Sequence, residues 1–302
     1  MANAITGIDH GLIGVHDLEA ARTNWERLGF SMTPRGRHTG WGTANYCIMF
    51  DDDYLELIGL VDPSQPSMSL EAALKKHEGL FGVALGSDDA REAHAALTAA
   101  GLAPEEISDL SRSVEMPGES QPAQPRFRIV KLPDSSTPDM NMFVCQHLDP
   151  SRVWRPEWQL HANGARGITS MTIAVDNPEP LISAYEKLFG AGSCSPTDDT
   201  LAAFTGHGSL MFVTRDDIKL IYPDVNVDES IETPFIVGVS LDVMTPGTTA
   251  DYLTSAGVPF VQSDDGTVRA LFRRPRGTLA RASCKTCFES SNSSPFFPTQ
   301  AE

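Results

Sequence analysis

A stretch in the middle of the chain repeats its beginning. The sequence Gly-Ile-Thr-Ser-Met-Thr-Ile-Ala-Val at 167–175 matches Gly-Ile-Asp-His-Gly-Leu-Ile-Gly-Val at 7–15, and the segment 186–190 matches 26–30 at the same separation of 160 residues. This internal repeat predicts two copies of one domain, produced by duplication. The first copy has His10 and Glu56 where we align Ser170 and Lys219 of the second. We therefore expect any metal centre to lie in the first copy.

Each copy contains two units in which a strand is followed by a helix and then by further strands. The apolar run from Ile5 to Val15 predicts a strand, and Asp17 is typical of a helix N-cap before apolar residues at helical spacing that end at Gly29. Similar units begin at Gly79, Gly167 and Phe235. The chain is therefore predicted to be an α+β protein of four βαβββ modules paired into two domains.

The expected domain boundaries follow composition. We predict a first domain over residues 1–150, a linker over 151–166 that packs through its tryptophans, a second domain over 167–288, and a disordered Ser-rich tail over 289–302. Residues 109–125 contain three prolines and show no clear period, which is typical of an exposed loop.

The charge balance excludes several kinds of partner. The chain of 302 residues has a formal net charge of −17, which opposes binding to nucleic acid or to an anionic membrane surface. There is no leader-like start and no apolar run of roughly 20 residues, so we expect a soluble cytoplasmic protein. Cys47 and Cys145 lie in apolar runs typical of buried thiols, and the pair Cys284 and Cys287 lacks a second pair that would complete a structural zinc site.

Five motifs together resemble the vicinal-oxygen-chelate superfamily and, within it, glyoxalase-like proteins of the glyoxalase, bleomycin-resistance and extradiol dioxygenase type. The similarity covers nearly all of residues 5–225. The motifs are Gly7-Ile8-Asp9-His10, Arg37-His38 before Gly42-Thr43-Ala44-Asn45, Tyr54-Leu55-Glu56-Leu57, Phe143-Val144-Cys145-Gln146-His147, and His161-Ala162-Asn163-Gly164-Ala165.

The resemblance implies curved mixed sheets that enclose a cleft, in which a divalent metal chelates two neighbouring oxygens of a substrate. The first and fourth strands of a module supply ligands in this family, which here implies His10 and Glu56. An imidazole and a carboxylate suit iron, manganese, zinc or nickel and leave positions open. Gly82 stands opposite His10 in the second module, so a third ligand is expected from Gln146 or His147, which alternate in direction along one strand.

Other side chains are expected to surround this cleft. His38 is a candidate ligand or general base, with a solvated loop histidine as the plainer alternative. For His10 the plainer alternative is a core histidine, whereas a buried Glu56 needs a cation, a proton or a strong donor. Candidate substrate-binding residues are Arg35, Arg37, Trp41, Asn45 and Tyr46. In the second domain, Lys219 and Arg281 would repel a metal ion.

Three functions remain open at this point. The first is a metal-dependent lyase, isomerase or ring-cleaving dioxygenase that acts on a small oxygen-rich molecule. The second is a metal-free protein that binds or sequesters a small molecule, as bleomycin-resistance relatives do. The third is a structural or regulatory homodimer in which both clefts have lost their activity. One scaffold hosts many chemistries, so the resemblance alone does not select a reaction.

Overall fold

The first half of the chain forms two consecutive sets of a strand, a helix and three strands. The computed structural model describes residues 4–67, 69–138, 140–223, 227, 231–271 and 287–291, without side chains at 271 and 287–291. The first set is β1 (Gly7–Val15), α1 (Leu18–Arg27), β2 (Gly36–His38), β3 (Thr43–Met49) and β4 (Tyr54–Leu60). After α2 (Leu70–Lys76), the second set is β5 (Gly79–Gly86), α3 (Ala90–Ala99), β6 (Ser108–Val114), β7 (Arg126–Lys131) and β8 (Met142–His147).

The second half follows a similar order. It contains β9 (Ala165–Val175), α4 (Ile182–Phe189), β10 (Cys194–Thr197), β11 (Thr200–Gly206), β12 (Gly208–Thr214), α5 (Arg215–Ile221), β13 (Phe235–Val243), α6 (Pro246–Ser255), β14 (Phe260–Gln262), β15 (Val268–Leu271) and β16 (Cys287–Ser291). Short 3-10 helices lie at Pro150–Arg152, Pro156–Trp158 and Glu179–Leu181. Within the described residues, none of the helices is both long and apolar enough to cross a membrane.

The strands form two curved mixed sheets. In the first half they close into a barrel in the order β1-β4-β3-β2-β6-β7-β8-β5. In the second half they form a sheet in the order β10-β11-β12-β9-β13-β16-β15-β14. Each sheet combines parallel pairs, such as β1 with β4 and β9 with β12, with antiparallel ones. The predicted α+β class with curved mixed sheets is therefore confirmed.

The helices begin where the sequence indicates. The side chain of Asp17 accepts a hydrogen bond from the backbone N–H of Ala20 at 2.9 Å, which satisfies one of the free donors at the start of α1. Asp89 caps α3 in the same way through Arg91 N–H at 2.7 Å. The apolar face of α1, which includes Trp25, is buried in the core that the two halves share.

Three sequence-based assignments change. Residues 109–114 of the expected loop belong to β6 (Ser108–Val114), because they add a strand to the barrel. Lys219 lies in α5 rather than on a strand, and the register of β12 with β9 places Met211 at the position that matches Glu56. The predicted tail begins inside β16, since this strand includes residues 289–291. Arg281, Cys284 and residues 292–302 lie outside the described residues.

A buried carboxylate joins the two halves. Asp53 is fully buried and accepts hydrogen bonds from Ile168 N–H at 3.0 Å and from the ring Nε2 of His207 at 2.7 Å. The backbone of His207 also pairs with Thr6 and Ile8. Gly7 lies beside it with φ at +146°, where an added Cβ would approach His207 N to 2.3 Å. The start of β1 is thus fixed against the turn between β11 and β12.

The Asp53–His207 pair predicts a pH-dependent contribution to stability. Burial raises the pKa of Asp53 to about 6 despite its hydrogen bonds, and the hydrogen bond that the His207 ring donates to Asp53 raises the pKa of His207. Both groups bind a proton more tightly in the folded chain. Their favourable contribution is therefore complete below the pKa values of the unfolded chain and is lost as the pH rises through the folded values.

We expect the wild type to lose stability relative to Asp53→Asn as the pH rises from 5 to 8. The difference in free energy of unfolding should fall by about 1–2 kcal/mol, because most of the change comes from a pKa shift of about two units on a buried group. Urea denaturation at several pH values measures it. The control is Asp52→Asn, at an exposed neighbour. A difference between wild type and Asp53→Asn that stays constant with pH contradicts this account.

Candidate functional site

An irregularity in β1 directs two neighbouring side chains into one buried cluster. The pairing of β1 with β5 shifts register between Ile8 and His10, which makes Asp9 the extra residue of a bulge. Asp9 and His10 are consequently both buried, and Asp9 Oδ1 lies 2.5 Å from His10 Nδ1. Regular alternation would have sent these two side chains to opposite faces of the sheet. The bulge therefore holds the His10 ring in one orientation.

Glu56 lies between two imidazole rings inside the barrel. Its Oε2 is 3.6 Å from His10 Nε2, and its Oε1 is 3.5 Å from His38 Nε2. The other ring nitrogens are engaged elsewhere, since His10 Nδ1 contacts Asp9 and His38 Nδ1 lies 2.8 Å from Thr43 Oγ1. All three side chains are buried. Two Nε2 atoms thus face one carboxylate at distances too long for good hydrogen bonds.

The surroundings of Glu56 keep it ionised. Burial alone would raise the pKa of Glu56. The net pKa is nevertheless lowered, by the positive charges of His38, His10 and Arg112 and by a hydrogen bond from Asn45 Nδ2 at 2.7 Å. Burial lowers the pKa of His38, with help from Arg112 and against the opposing charge of Glu56. Each shift favours the deprotonated form, in which Glu56 and His38 can act as metal ligands or proton acceptors.

These groups lie at one wall of a cavity of about 290 Å³ inside the barrel. The other walls are mostly aromatic and aliphatic, as is typical of small-molecule sites. The cavity is lined by His10, Leu12, His38, Trp41, Asn45, Tyr54, Glu56, Ile58, Ser69, Leu70, Phe81, Leu110, Arg112, Phe127, Ile129, Lys131, Asn141, Phe143 and Cys145. The structure thus brings together His10, His38, Trp41, Asn45 and Glu56 of the residues predicted from the sequence.

The remaining predicted residues lie outside this lining. Both amide atoms of Gln146 bind the start of α3, with Nε2 2.7 Å from Asp88 O and Oε1 3.2 Å from Ala90 N. Arg35 and Tyr46 contact Glu19, at 3.3 Å and 3.0 Å, on the outer side of the barrel wall. Arg37 is exposed. The strand register explains this, because alternate residues of β2, β3 and β8 face away from the interior.

His147 belongs to a second cluster that adjoins the cavity through Cys145. Its Nε2 lies 3.1 Å from Asp9, and the donor atoms of Asp9, Cys145 and His147 lie within 4.8 Å of one another. The charges of His147 and His10 overcome the effect of burial and hold the pKa of Asp9 well below its usual range. Burial raises the pKa of Cys145 well above its usual value, with a further contribution from Asp9. Asp9 therefore links this cluster to His10.

The second unit of the barrel offers no ligand at the positions equivalent to His10 and Glu56. Helices α1 and α3 begin at Leu18 and Ala90, 72 residues apart, so position 10 corresponds to Gly82. A Cβ at Gly82 would lie 2.7 Å from Asn141 Nδ2. The register of β5 with β8 places Phe143 at the position that corresponds to Glu56. At these equivalent positions, only the first unit therefore supplies ligand-type side chains.

Sequence reasoning missed two charged groups of the cavity lining, the buried Arg112 and the exposed Lys131. Arg112 lies on β6 opposite His38 of β2, and its side chain is buried. Its Nη1 donates to Cys47 Sγ at 2.9 Å. The prolines after residue 116 suggested a loop, although Leu110, Arg112 and Val114 alternate with polar residues as in a strand. That alternation was the available signal.

Comparisons with known proteins now identify the family. The family model described as a glyoxalase-like domain matches residues 8–189, well over half of the chain. The chain belongs to the glyoxalase-like domain family. This confirms the resemblance to the vicinal-oxygen-chelate superfamily, and the matched segment contains the whole cavity. A search of curated proteins gave no match.

Solved structures support the same fold. A hypothetical protein from Staphylococcus aureus aligns with a TM-score of 0.64 at 10% identity, covering 94% of this chain and 98% of that one. A fusion protein of a xylose isomerase-like TIM barrel and 4-hydroxyphenylpyruvate dioxygenase aligns at 0.58 and 14% identity, covering 98% and 51%. A mutant 4-hydroxymandelate synthase from Streptomyces coelicolor aligns at 0.57 and 12% identity, covering 97% and 95%. Because these identities are low, the alignments show only that the glyoxalase-like chain shares the fold of these proteins.

The thiols near the cavity are expected to be unreactive in the folded protein. Burial raises the pKa of Cys47 to about 11, and Cys145 is buried as well. Thiolate is the reactive form, so both should resist 5,5′-dithiobis(2-nitrobenzoic acid) at pH 8. In a Cys284→Ser/Cys287→Ser background we expect no more than one native thiol, that of the partly exposed Cys194, to react. All three should react in guanidinium chloride.

The matched control is the same background with Cys194→Ser, which should show no reactive thiol before unfolding. Peptide mapping assigns the labelled sites. Labelling of Cys47 or Cys145 at native pH, without loss of structure by circular dichroism, contradicts the described burial.

Proposed function

We propose that this protein is a divalent-metal-dependent enzyme of the glyoxalase-like type, acting on a small molecule with two neighbouring oxygens inside the first barrel. The reaction class is a lyase, an isomerase or a ring-cleaving dioxygenase. The observation that carries the proposal is that the carboxylate oxygens of Glu56 lie 3.6 Å from His10 Nε2 and 3.5 Å from His38 Nε2.

We further infer that the strand-helix-strand order in each half represents two βαβββ modules, so that the chain has four modules in two domains.

The residues fit a metal ion in their donor types and spacing. Two ligands about 2.1 Å from a shared ion lie roughly 3.0–3.5 Å apart, which is close to the separations seen around Glu56. Asp9 and Thr43 hold the Nδ1 atoms of His10 and His38, as partners of metal-binding histidines commonly do. Two imidazoles and one carboxylate with open positions suit ferrous iron, and also manganese, zinc or nickel. The metal ligands proposed here are His10, Glu56 and His38.

The protein groups around this site have distinct roles. A bound metal would polarise an oxygen of the substrate or activate dioxygen. Asn45 orients Glu56 through its 2.7 Å hydrogen bond. The aromatic wall formed by Tyr54 and Phe143 packs against His10, with the Tyr54 ring centroid 4.3 Å away, and excludes water from that side. A substrate in the cavity would therefore meet a fixed polar wall and apolar walls elsewhere.

A metal-free binding protein is the second candidate. Three observations favour it: the second unit has Gly82 and Phe143 at the ligand positions, Asn45 already donates to Glu56, and the cation Arg112 lies in the same cavity. A metal ion would have to tolerate this nearby positive charge. The two candidates differ in one measurable property, the stoichiometry of bound metal.

Elemental analysis of protein purified without a metal-affinity tag tests the proposal. We expect about one iron, manganese, zinc or nickel ion per chain in the wild type, after supplying each metal and removing the excess. His10→Ala and Glu56→Gln should reduce the content at least tenfold, because each removes one of few ligands. His38→Ala should also reduce the metal content at least tenfold, because His38 is the third proposed ligand.

The matched control is His16→Ala, at an exposed histidine beyond the end of β1. It should keep the wild-type metal content, and thermal denaturation confirms that each variant folds. Wild-type protein that takes up none of the four metals overturns the enzyme proposal and leaves the metal-free binder. Metal that persists in both Glu56→Gln and His10→Ala places the ion elsewhere.

A further inference from the structure

A buried guanidinium in the cavity has no carboxylate partner. The side chain of Arg112 is only 5% exposed. Its assigned hydrogen bond is to Cys47 Sγ, and its Nε has no partner in the described structure. Among the described residues, no Asp or Glu oxygen lies within the 4.0 Å that defines an ion pair with it. A buried charge without a direct ion-pair partner is unfavourable, so this site favours an anionic ligand.

The groups that touch Arg112 do not neutralise it. Burial raises the pKa of the Cys47 thiol to about 11, so the thiol remains neutral at physiological pH. The Phe127 ring centroid lies 5.7 Å from the guanidinium carbon and offers a weak cation–π contact. Glu56 acts on Arg112 only through space. The cavity therefore contains a fixed positive charge that is available to a ligand.

The position of Arg112 relates it to the proposed metal site. β2 and β6 pair antiparallel with His38 directly opposite Arg112, so the guanidinium and His38 line the same stretch of wall. Asn45 Oδ1, also in the lining, is buried without a partner and can accept a hydrogen bond from a ligand hydroxyl. A ligand bound through Arg112 would therefore lie beside Glu56 and the imidazoles.

The rest of the cavity sets the size and polarity of the ligand. Its volume is about 290 Å³, whereas a cavity of roughly 150 Å³ holds benzene, so one ring with a short side chain fits. Aromatic walls at Trp41, Phe81 and Phe143 favour a flat apolar body. Of the two cations in the lining only Arg112 is buried, whereas Lys131 is exposed, and one buried cation matches a single negative charge better than a phosphate dianion. These features together describe an apolar monocarboxylate.

We propose that Arg112 is the anion-binding residue of the cavity and that the ligand is a ring-sized apolar monocarboxylate whose carboxylate pairs with the guanidinium. This deepens the proposed function, because it names the substrate class of the same cavity. The carboxylate contact itself does not require a metal. Binding can therefore be measured separately from metal content.

The test is a ligand-observed NMR titration of the full chain in the presence of a chelator. The probes are benzoate, phenylacetate and 3-phenylpropanoate, each compared with its uncharged amide. For the wild type we expect at least one carboxylate to bind tenfold or more tightly than its amide. Arg112→Met should reduce this preference to about onefold while leaving the amide affinity unchanged, and Arg112→Lys should retain part of it.

Arg91→Met, at an exposed arginine of α3, is the matched control and should behave as the wild type. An equal affinity for acids and amides in the wild type overturns the proposal, as does a preference that survives in Arg112→Met or the absence of binding by every probe. If Arg112→Met does not fold, the test is made on Arg112→Lys instead. A preference for the acid over the amide that is undiminished in Arg112→Lys then contradicts the proposal.

Metal analysis of the same samples separates this proposal from the proposed function. If the wild type contains no metal but prefers carboxylates through Arg112, the anion site is supported and the metal-dependent enzyme is wrong. If the wild type contains metal but shows no such preference, only the anion-site proposal is wrong. Loss of the preference with retained metal in Arg112→Met supports both.

Discussion

The ionised carboxylate of Glu56 inside a closed barrel is the constraint on which the arrangement of the site depends. A carboxylate removed from water is tolerated only with donors and cations around it. Those groups come from different strands: His10 from β1, His38 from β2, Asn45 from β3 and Arg112 from β6. They meet because these strands are neighbours in one curved sheet, in the order β1-β4-β3-β2-β6. Pairing of these five strands therefore assembles the site.

The duplication signal predicted the fold well because it depends on pattern rather than on single contacts. Apolar runs and the N-caps of α1 and α3 indicated the order of strands and helices. Apolar runs of this kind occur wherever a strand must bury one face. His10 and Glu56 lie on the first and fourth strands, which pair in parallel, so the two positions that the family resemblance implied lie close together. His38 joined them because β2 adds to the same barrel.

Other features depend on tertiary structure that a local pattern does not contain. Asp9 reaches the cluster because of a bulge, and a bulge is defined by the partner strand β5 rather than by residues of β1. Gln146 was a reasonable ligand by position, yet it binds the start of α3. Arg112 was assigned to a loop because prolines follow β6, and its strand forms only when β2 and β7 lie on either side.

The charges inside the barrel connect the two proposals. Among the described buried groups, Asp9 and Glu56 are held ionised and Arg112 is cationic, which gives a net charge of −1 when the imidazoles are neutral, as metal binding requires. A divalent ion would change this sum to +1, and one ligand carboxylate would bring it to zero. A buried site tolerates charge best when it is balanced. Metal and monocarboxylate should therefore favour each other's binding, whereas an uncharged ligand gains no such advantage from the metal.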